Sequence, residues 1–249
     1  LLLEAGVLAA LAAPWGWSPR LSTERAADAV PLWLVRWLWF RLMTLAGSVK
    51  LASGDAVWWD LTALTYHFET QPLPHALSWY AHFLPAGVLK ASAAAMFFIE
   101  LVLPFAVFLP RRPRLAAFLG VNLLMILITV TGNYTFFNVL AFVLSAPLLD
   151  DSQWGRVLPG LRARLGEALG RAPEPRARRA LAAAFALFFL PTSLAAGLIR
   201  VFPQAAASGA LRGTAAAGQT LNLVNAYGLF AVMTRPRREI LIEGSLDGA

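Results

Sequence analysis

The sequence contains no cysteine. That excludes disulfide staples, CxxC redox chemistry and thiolate metal sites. Charge is scarce as well: Asp, Glu, Lys and Arg make up 14% of the 249 residues, where a soluble domain carries about 25%. The chain has no Gly-x-Ser-x-Gly elbow, Walker A loop, dinucleotide-type glycine fingerprint or His-Glu-x-x-His helix. Hydrolase and nucleotide chemistry therefore lack sequence support. Ser48 and Lys50 are too weak a pattern to stand for a Ser–Lys dyad. Only three histidines occur, His67, His75 and His82, at spacings of eight and seven. A helical metal pair wants a step of about four, so no metal site is expected, and no cofactor is implied.

What the chain does have is apolar length. Hydrophobic residues reach 58%, with a mean hydropathy of +0.61, which points to an integral membrane protein. Sixteen Phe and nine Trp suit aromatic belts at the interfaces. The net charge of +7 comes largely from arginines in short loops between apolar runs, where the positive-inside rule places them. Membrane lipid is the expected partner and nucleic acid is not.

The fold class read from this pattern is all-α, a polytopic transmembrane helical bundle over 1–234. Spans are expected at 1–13 (the end of a truncated helix), 31–47, 86–110, 115–130, 134–149 and 180–202. Pro14-Trp15-Gly16-Trp17 breaks the first. Residues 111–114 read as a tight basic turn, 150–179 as a soluble linker with a short surface helix near 162–169, and 205–218 as a loop. Residues 219–234, weakly apolar and short, read as an interfacial or re-entrant helix. Residues 235–249 read as the start of a truncated C-terminal extramembrane portion, since the chain opens without Met and closes on a strand-like stretch.

Between the second and third spans lies a polar, aromatic insert, 49–85, holding all three histidines together with Asp55, Trp58, Trp59, Tyr66, Glu69, Gln71, Trp79 and Tyr80. Such a segment cannot sit unaided in lipid. The Arg-rich 111–114 and 150–179 should be cytoplasmic, which puts the insert and 131–133 on the extracytoplasmic face. The basic run Arg235–Arg238 conflicts with that assignment if 219–234 spans.

Several polar residues are candidates for chemistry. His67 and Glu69 could face one side if extended but would diverge on a helix; such a pair is the minimum for proton transfer. Lys90 and Glu100 lie about 15 Å apart along one helix axis and do not pair; Glu100 needs a partner from another helix, with Arg41 and Asn122 as candidates. Trp33, Trp37 and Arg41 recur at four-residue spacing, as in a cation–π stack. Asn133 reads as a cap for the helix that carries Asn138. Asn222 and Asn225 mark the last weakly apolar segment.

Arg41-Leu42-Met43, Leu51-Ala52-Ser53-Gly54-Asp55, Tyr66-His67-Phe68-Glu69-Thr70-Gln71-Pro72-Leu73-Pro74, Trp79-Tyr80-Ala81-His82, 131–138 and Asn225-Ala226-Tyr227-Gly228-Leu229-Phe230 resemble motifs of the lipase maturation factor family. The resemblance runs from about Arg36 to the end. It implies a polytopic membrane protein that helps exported clients, lipases among them, reach an assembled, active state. Relatives in animals sit in the endoplasmic reticulum; the Ala- and Arg-rich composition here points to a bacterial member in a plasma membrane. Trp58, Trp59, Trp79 and Tyr80 would then be aromatic anchors for a client. The competing reading is a multi-span membrane enzyme that does proton-transfer chemistry on a lipid-like substrate. Lys50 or His67 would be its base and Glu69 the orienting group, and Arg41, His82 and Glu100 would complete the polar cluster.

Overall fold

In the computed structural model, residues 1–13, 28–132, 134–160, 175–237 and 240 are described. The expected break at Pro14–Trp17, the surface helix near 162–169, Asn133 and Arg238 lie outside them. The described residues are mostly helical. α1 (Leu2–Ala12) is short and α2 (Ala29–Ala52) is long. The insert folds into three small helices, α3 (Ala56–Trp59), α4 (Leu64–Thr70) and α5 (Ala76–His82). α6 (Ala86–Leu101) runs on as a 3₁₀ segment, Leu103–Phe108, because Pro104 has no N–H to give the Glu100 carbonyl. α7 (Arg111–Thr131), α8 (Phe136–Ser145) and α9 (Asp151–Val157) follow. α10 (Arg176–Val201) passes unbroken through Pro191, and α11 (Gly209–Thr220) comes last. Among the described residues there is no strand, only an isolated bridge from Pro74 to Gly132.

Four helical segments are long and apolar enough to cross a bilayer: α2, α6 with its 3₁₀ extension, α7 and α10. Their outer faces are bare of polar cover. On α7, Leu119, Leu123, Ile126 and Leu127 are each at least half exposed, at the spacing of one helix face. A soluble protein would not leave such a stripe open, and in a bilayer it meets lipid. The chain is an integral membrane protein.

Contacts sort the helix ends into two groups. Arg36 donates to the Pro147 carbonyl (2.8 Å), Arg111 pairs with Asp150 (2.8 Å), Arg179 approaches Asp28 (3.8 Å), and Arg178 donates to the Leu11 carbonyl. These arginines gather at one end of the bundle. The insert caps the other, where Gln71 donates to the Thr131 carbonyl (2.7 Å). Gly47 faces Leu101 and Glu100 so closely that a Cβ would lie 2.8 Å from the Leu101 side chain, so that side chain packs directly on the α2 backbone there. Trp58 then meets Phe97, with ring centroids 5.8 Å apart. The part of α6 beyond, about 16 Å long, outruns α2, and the insert fills the space beside it.

Several expectations are corrected. The 134–149 stretch makes only α8 and a 3₁₀ turn, Ala146–Leu148, too short to be a full span. Residues 111–114 are the first turn of α7 and not a loop. Residues 47–52, expected to lead into the insert, belong to α2. The largest difference is near the end. The expected 205–218 loop holds most of the 3₁₀ turn Pro203–Ala207 and of α11, while 221–234, nearly all of the helix expected at 219–234, has no regular structure, nor do 235–237. α11 folds back along α10 until Gly218 lies against Thr192, about 14 Å from the end of α10. The chain then returns as an irregular strap to the insert. The helical arm precedes the expected one, because the alanines of 215–217 favour a helix and positive φ at Asn222 and Phe230 breaks the next segment.

Gly228 sits in this strap at φ +128, and an added Cβ would lie 2.3 Å from Val49. Both the backbone conformation and the close approach require glycine. Gly228→Ala should therefore lower the stability of the detergent-solubilised protein by at least about 1 kcal/mol. Gly213→Ala, on the open side of α11, should raise it by up to about 1 kcal/mol. Thermal unfolding followed by circular dichroism checks both signs.

Candidate functional site

Arg41 lies about 18 Å along α2, at the middle of the bundle. It is 4% exposed. Its Nη1 donates to Glu4 of α1 (2.7 Å) and its Nη2 to the Asn225 carbonyl of the strap (2.7 Å). The guanidinium lies between the rings of Phe189 and Tyr227, at 5.7 and 5.6 Å, and not over Trp37 as the spacing suggested. Trp37 turns away to donate to Ser193 (2.9 Å). The Tyr227 hydroxyl donates to the second Glu4 oxygen. A buried charge is tolerated at this depth because it is paired and hydrogen-bonded.

The second centre is Lys50 with Glu100. Lys50 Nζ donates to both carboxylate oxygens, at 2.8 and 2.6 Å, and lies 5.5 Å from the Trp58 ring. The Glu100 partner is thus neither Arg41 nor Asn122. Asn122 instead bonds to Ser145 of α8 (3.0 Å). Each charge of this buried pair is answered by the other.

The third centre joins the insert to α7 and α8. Gln71 Nε2 donates to the Thr131 carbonyl, which turns Gln71 Oε1 towards the Tyr134 hydroxyl (3.1 Å). Tyr134 has one proton and gives it to Gln71, so it accepts from His67 Nε2 (3.3 Å). The network assigns His67 as the neutral Nε2–H tautomer. Burial, and then the nearby Lys50 charge, push the His67 imidazole down to about 4. Burial pushes the Tyr134 phenol up to about 12, so it remains a donor at any ordinary pH. The His67 ring is edge-on to Phe230 of the strap, at 5.2 Å.

A fourth group stitches the strap to the insert. Asp55 caps α3 and accepts from the Met233 N–H (2.9 Å) and from Arg235 (2.9 Å). The Met233 bond, with help from Arg235, holds its carboxyl below the usual range. Trp58 donates to the Phe230 carbonyl (3.1 Å), Thr70 to the Thr234 carbonyl (2.9 Å) and Arg237 to the Glu69 carbonyl (2.7 Å). Arg235 and Arg237 therefore lie on the insert side, so residues 219–234 do not carry them to the other, arginine-rich end. Tyr66 packs on Trp58, Ala63 and Met233.

The proton-transfer set does not converge. His67 and Glu69 diverge, as residues two apart on a helix must, and Glu69 approaches His82 instead, at 3.9 Å. Lys50, His67 and Glu69 thus have three separate sets of partners. Asn138 bonds Thr129 (2.9 Å), and the Asn225 side chain reaches only the Asn222 carbonyl (3.4 Å). Asn133 lies outside the described residues. No group of three or more His, Asp or Glu able to hold a metal occurs among the described residues. The remaining candidates are exposed: Trp59, Trp79 and Tyr80 are 63%, 66% and 71% exposed, with Phe83 at 65%. Trp59 is pinned by a bond to the Leu51 carbonyl (3.3 Å) and Trp79 packs edge-on to Phe83. His75 and Ser78 form the capping box that starts α5.

The sequence is similar to known proteins. The family model described as the lipase maturation factor transmembrane domain matches residues 1–156, from α1 through the insert to α9. The chain belongs to the lipase maturation factor family. It is 52% identical to Lipase maturation factor 2 of Gallus gallus over 160 residues, 63% of this chain and 22% of that protein. It is 31% identical to Lipase maturation factor 1 of Mus musculus over 255 residues, 99% of this chain and 44% of that protein. The human Lipase maturation factor 1 is 32% identical over 98% of this chain. The chain spans less than half the length of these relatives. No solved structure matches it.

Sequence reasoning missed the roles of Glu4 and Tyr227 in this family member. Glu4 was visible as a lone acid in an apolar stretch; nothing local marked Tyr227.

Two tests follow from the buried groups. Lys50→Met leaves Glu100 charged and unpaired, and should cost about 3–5 kcal/mol, whereas Lys50→Met with Glu100→Leu should recover most of it; chemical denaturation in mixed micelles measures both. For His67, the folded value of about 4 lies below the ordinary 6.5. The unfolded chain therefore binds the proton first, and stability falls as pH drops from about 6.5 towards 4, by up to about 1.4 kcal/mol per pH unit. His67→Gln should flatten the unfolding midpoint across that window.

Proposed function

We propose that this chain is the membrane-embedded part of a maturation factor that assists folding or assembly of exported clients, lipases among them. The aromatic face of the insert is the contact surface. The supporting observation is that Trp59, Trp79, Tyr80 and Phe83 remain exposed on a segment otherwise tied down by buried hydrogen bonds. Large, rigid aromatics on a fixed base give binding area at little entropic cost. By the positive-inside rule the arginine-rich end faces the cytosol and the insert the extracytoplasmic side, where exported clients emerge. In a bacterial host that membrane is the plasma membrane; in eukaryotic relatives it is the endoplasmic reticulum. The relatives named Lipase maturation factor 1 and 2 supply the client class.

The test is client output. Trp79→Ala with Tyr80→Ala, expressed from the native locus, should reduce secreted lipase activity about tenfold while membrane abundance stays level, as loss of two anchoring aromatics predicts. Unchanged secreted activity after complete deletion of the locus would overturn the proposal.

A further inference from the structure

A groove of about 590 Å³ opens on the flank of the bundle between the first turns of α2, the 3₁₀ segment after α6 and the middle of α10. That is within the about 300–1,000 Å³ of small-ligand sites. Its walls include Trp33, Val107, Phe108, Ala186, Leu190 and Leu194, and it is apolar throughout. It lies at the arginine-rich end. Trp33 links the groove to that charge: one side stacks on Phe108, with centroids 6.3 Å apart, and Arg36 Cζ sits 5.2 Å from the ring centroid. The Arg114 charge bears on Arg36. Among the described residues no carboxylate pairs with either guanidinium, and Arg114 Nε is buried without a hydrogen-bond partner.

Arg36, stacked on a wall of an apolar slot, with the Arg114 charge acting on it, calls for an anion with a hydrocarbon tail. Arg114 also lies in the first turn of α7, where the helix dipole disfavours cations and favours an anion. The arginine end is the cytoplasmic end by the positive-inside rule, and that leaflet is where anionic lipids meet basic side chains. The geometry points to a binding site for an anionic glycerophospholipid of that leaflet, with an acyl chain in the groove against Trp33, Phe108 and Leu190 and its phosphate between Arg36 and Arg114. A soluble phosphate would gain nothing from the groove, and an uncharged lipid nothing from the arginines.

The experiment uses the full chain in nanodiscs doped with phosphatidylglycerol or phosphatidylcholine, each carrying a diazirine on the acyl chain. Labelled peptides are mapped after irradiation. Phosphatidylglycerol should label the groove walls in preference to phosphatidylcholine. Arg36→Gln and Arg114→Gln should each lower that preference about fivefold; glutamine at 36 keeps a donor for the Pro147 carbonyl. Leu194→Trp, which narrows the slot from an exposed position, should reduce groove labelling by both lipids. Glycerophosphoglycerol, the same head group without chains, should not compete. Equal labelling by the two lipids, labelling confined to other faces, or full competition by the chainless head group would overturn the assignment. The wild-type comparison decides this even where a variant fails to fold.

Discussion

An irregular stretch of backbone inside an apolar layer must find a partner for its exposed carbonyls, and that requirement organises this molecule. Residues 221–237 have no ladder or helix to supply those bonds, and water does not reach the middle of a bundle. Side chains supply them instead. Arg41 takes the Asn225 carbonyl, Arg200 reaches the Gly228 carbonyl (3.4 Å), and Trp58 takes the Phe230 carbonyl. A guanidinium at mid-depth is costly by itself, so Glu4 and two aromatic faces accompany it. The buried charges are thus not isolated oddities; they follow from placing a non-helical strap where helices belong.

The same strap explains why the insert is rigid although its helices are four to seven residues long. Isolated helices of that length are unstable. Here α3 is anchored by Asp55 and Trp58 to the strap, and α4 by Gln71 to the end of α7 and by His67 to Tyr134, just before α8. The neutral imidazole and the high-pKa phenol make that second anchor insensitive to moderate changes of pH. The polar groups therefore serve chiefly to hold a surface in place, and the aromatics left outward-facing are the part available to a partner.

Much of this was legible beforehand. The fold class follows from apolar run length and local composition, although of the six spans expected, four helical segments among the described residues are long and apolar enough to cross a bilayer. Divergence of His67 and Glu69 on a helix follows from a 100° step per residue. What could not be read are pairings across long separations. Glu100 had to find a cation on another helix, but which one depended on Gly47 letting α2 and α6 approach. The contact of Tyr227 with Glu4 spans nearly the whole chain, and no periodicity encodes it. The helical arm, α11, was misplaced because its Ala- and Gly-rich sequence is only weakly apolar. Hydropathy does not detect a helix that hides against a neighbour.

The bond between Tyr227 and Glu4 also sets an order on biogenesis. α1 and α2 leave the ribosome early, with Glu4 able to neutralise Arg41 at once, but the remaining guanidinium nitrogen stays without its backbone acceptor until residue 225 has been made. Local helical hairpins form quickly and distant closures slowly. The nascent bundle therefore carries an unfilled slot at its centre until the strap that closes it has been made.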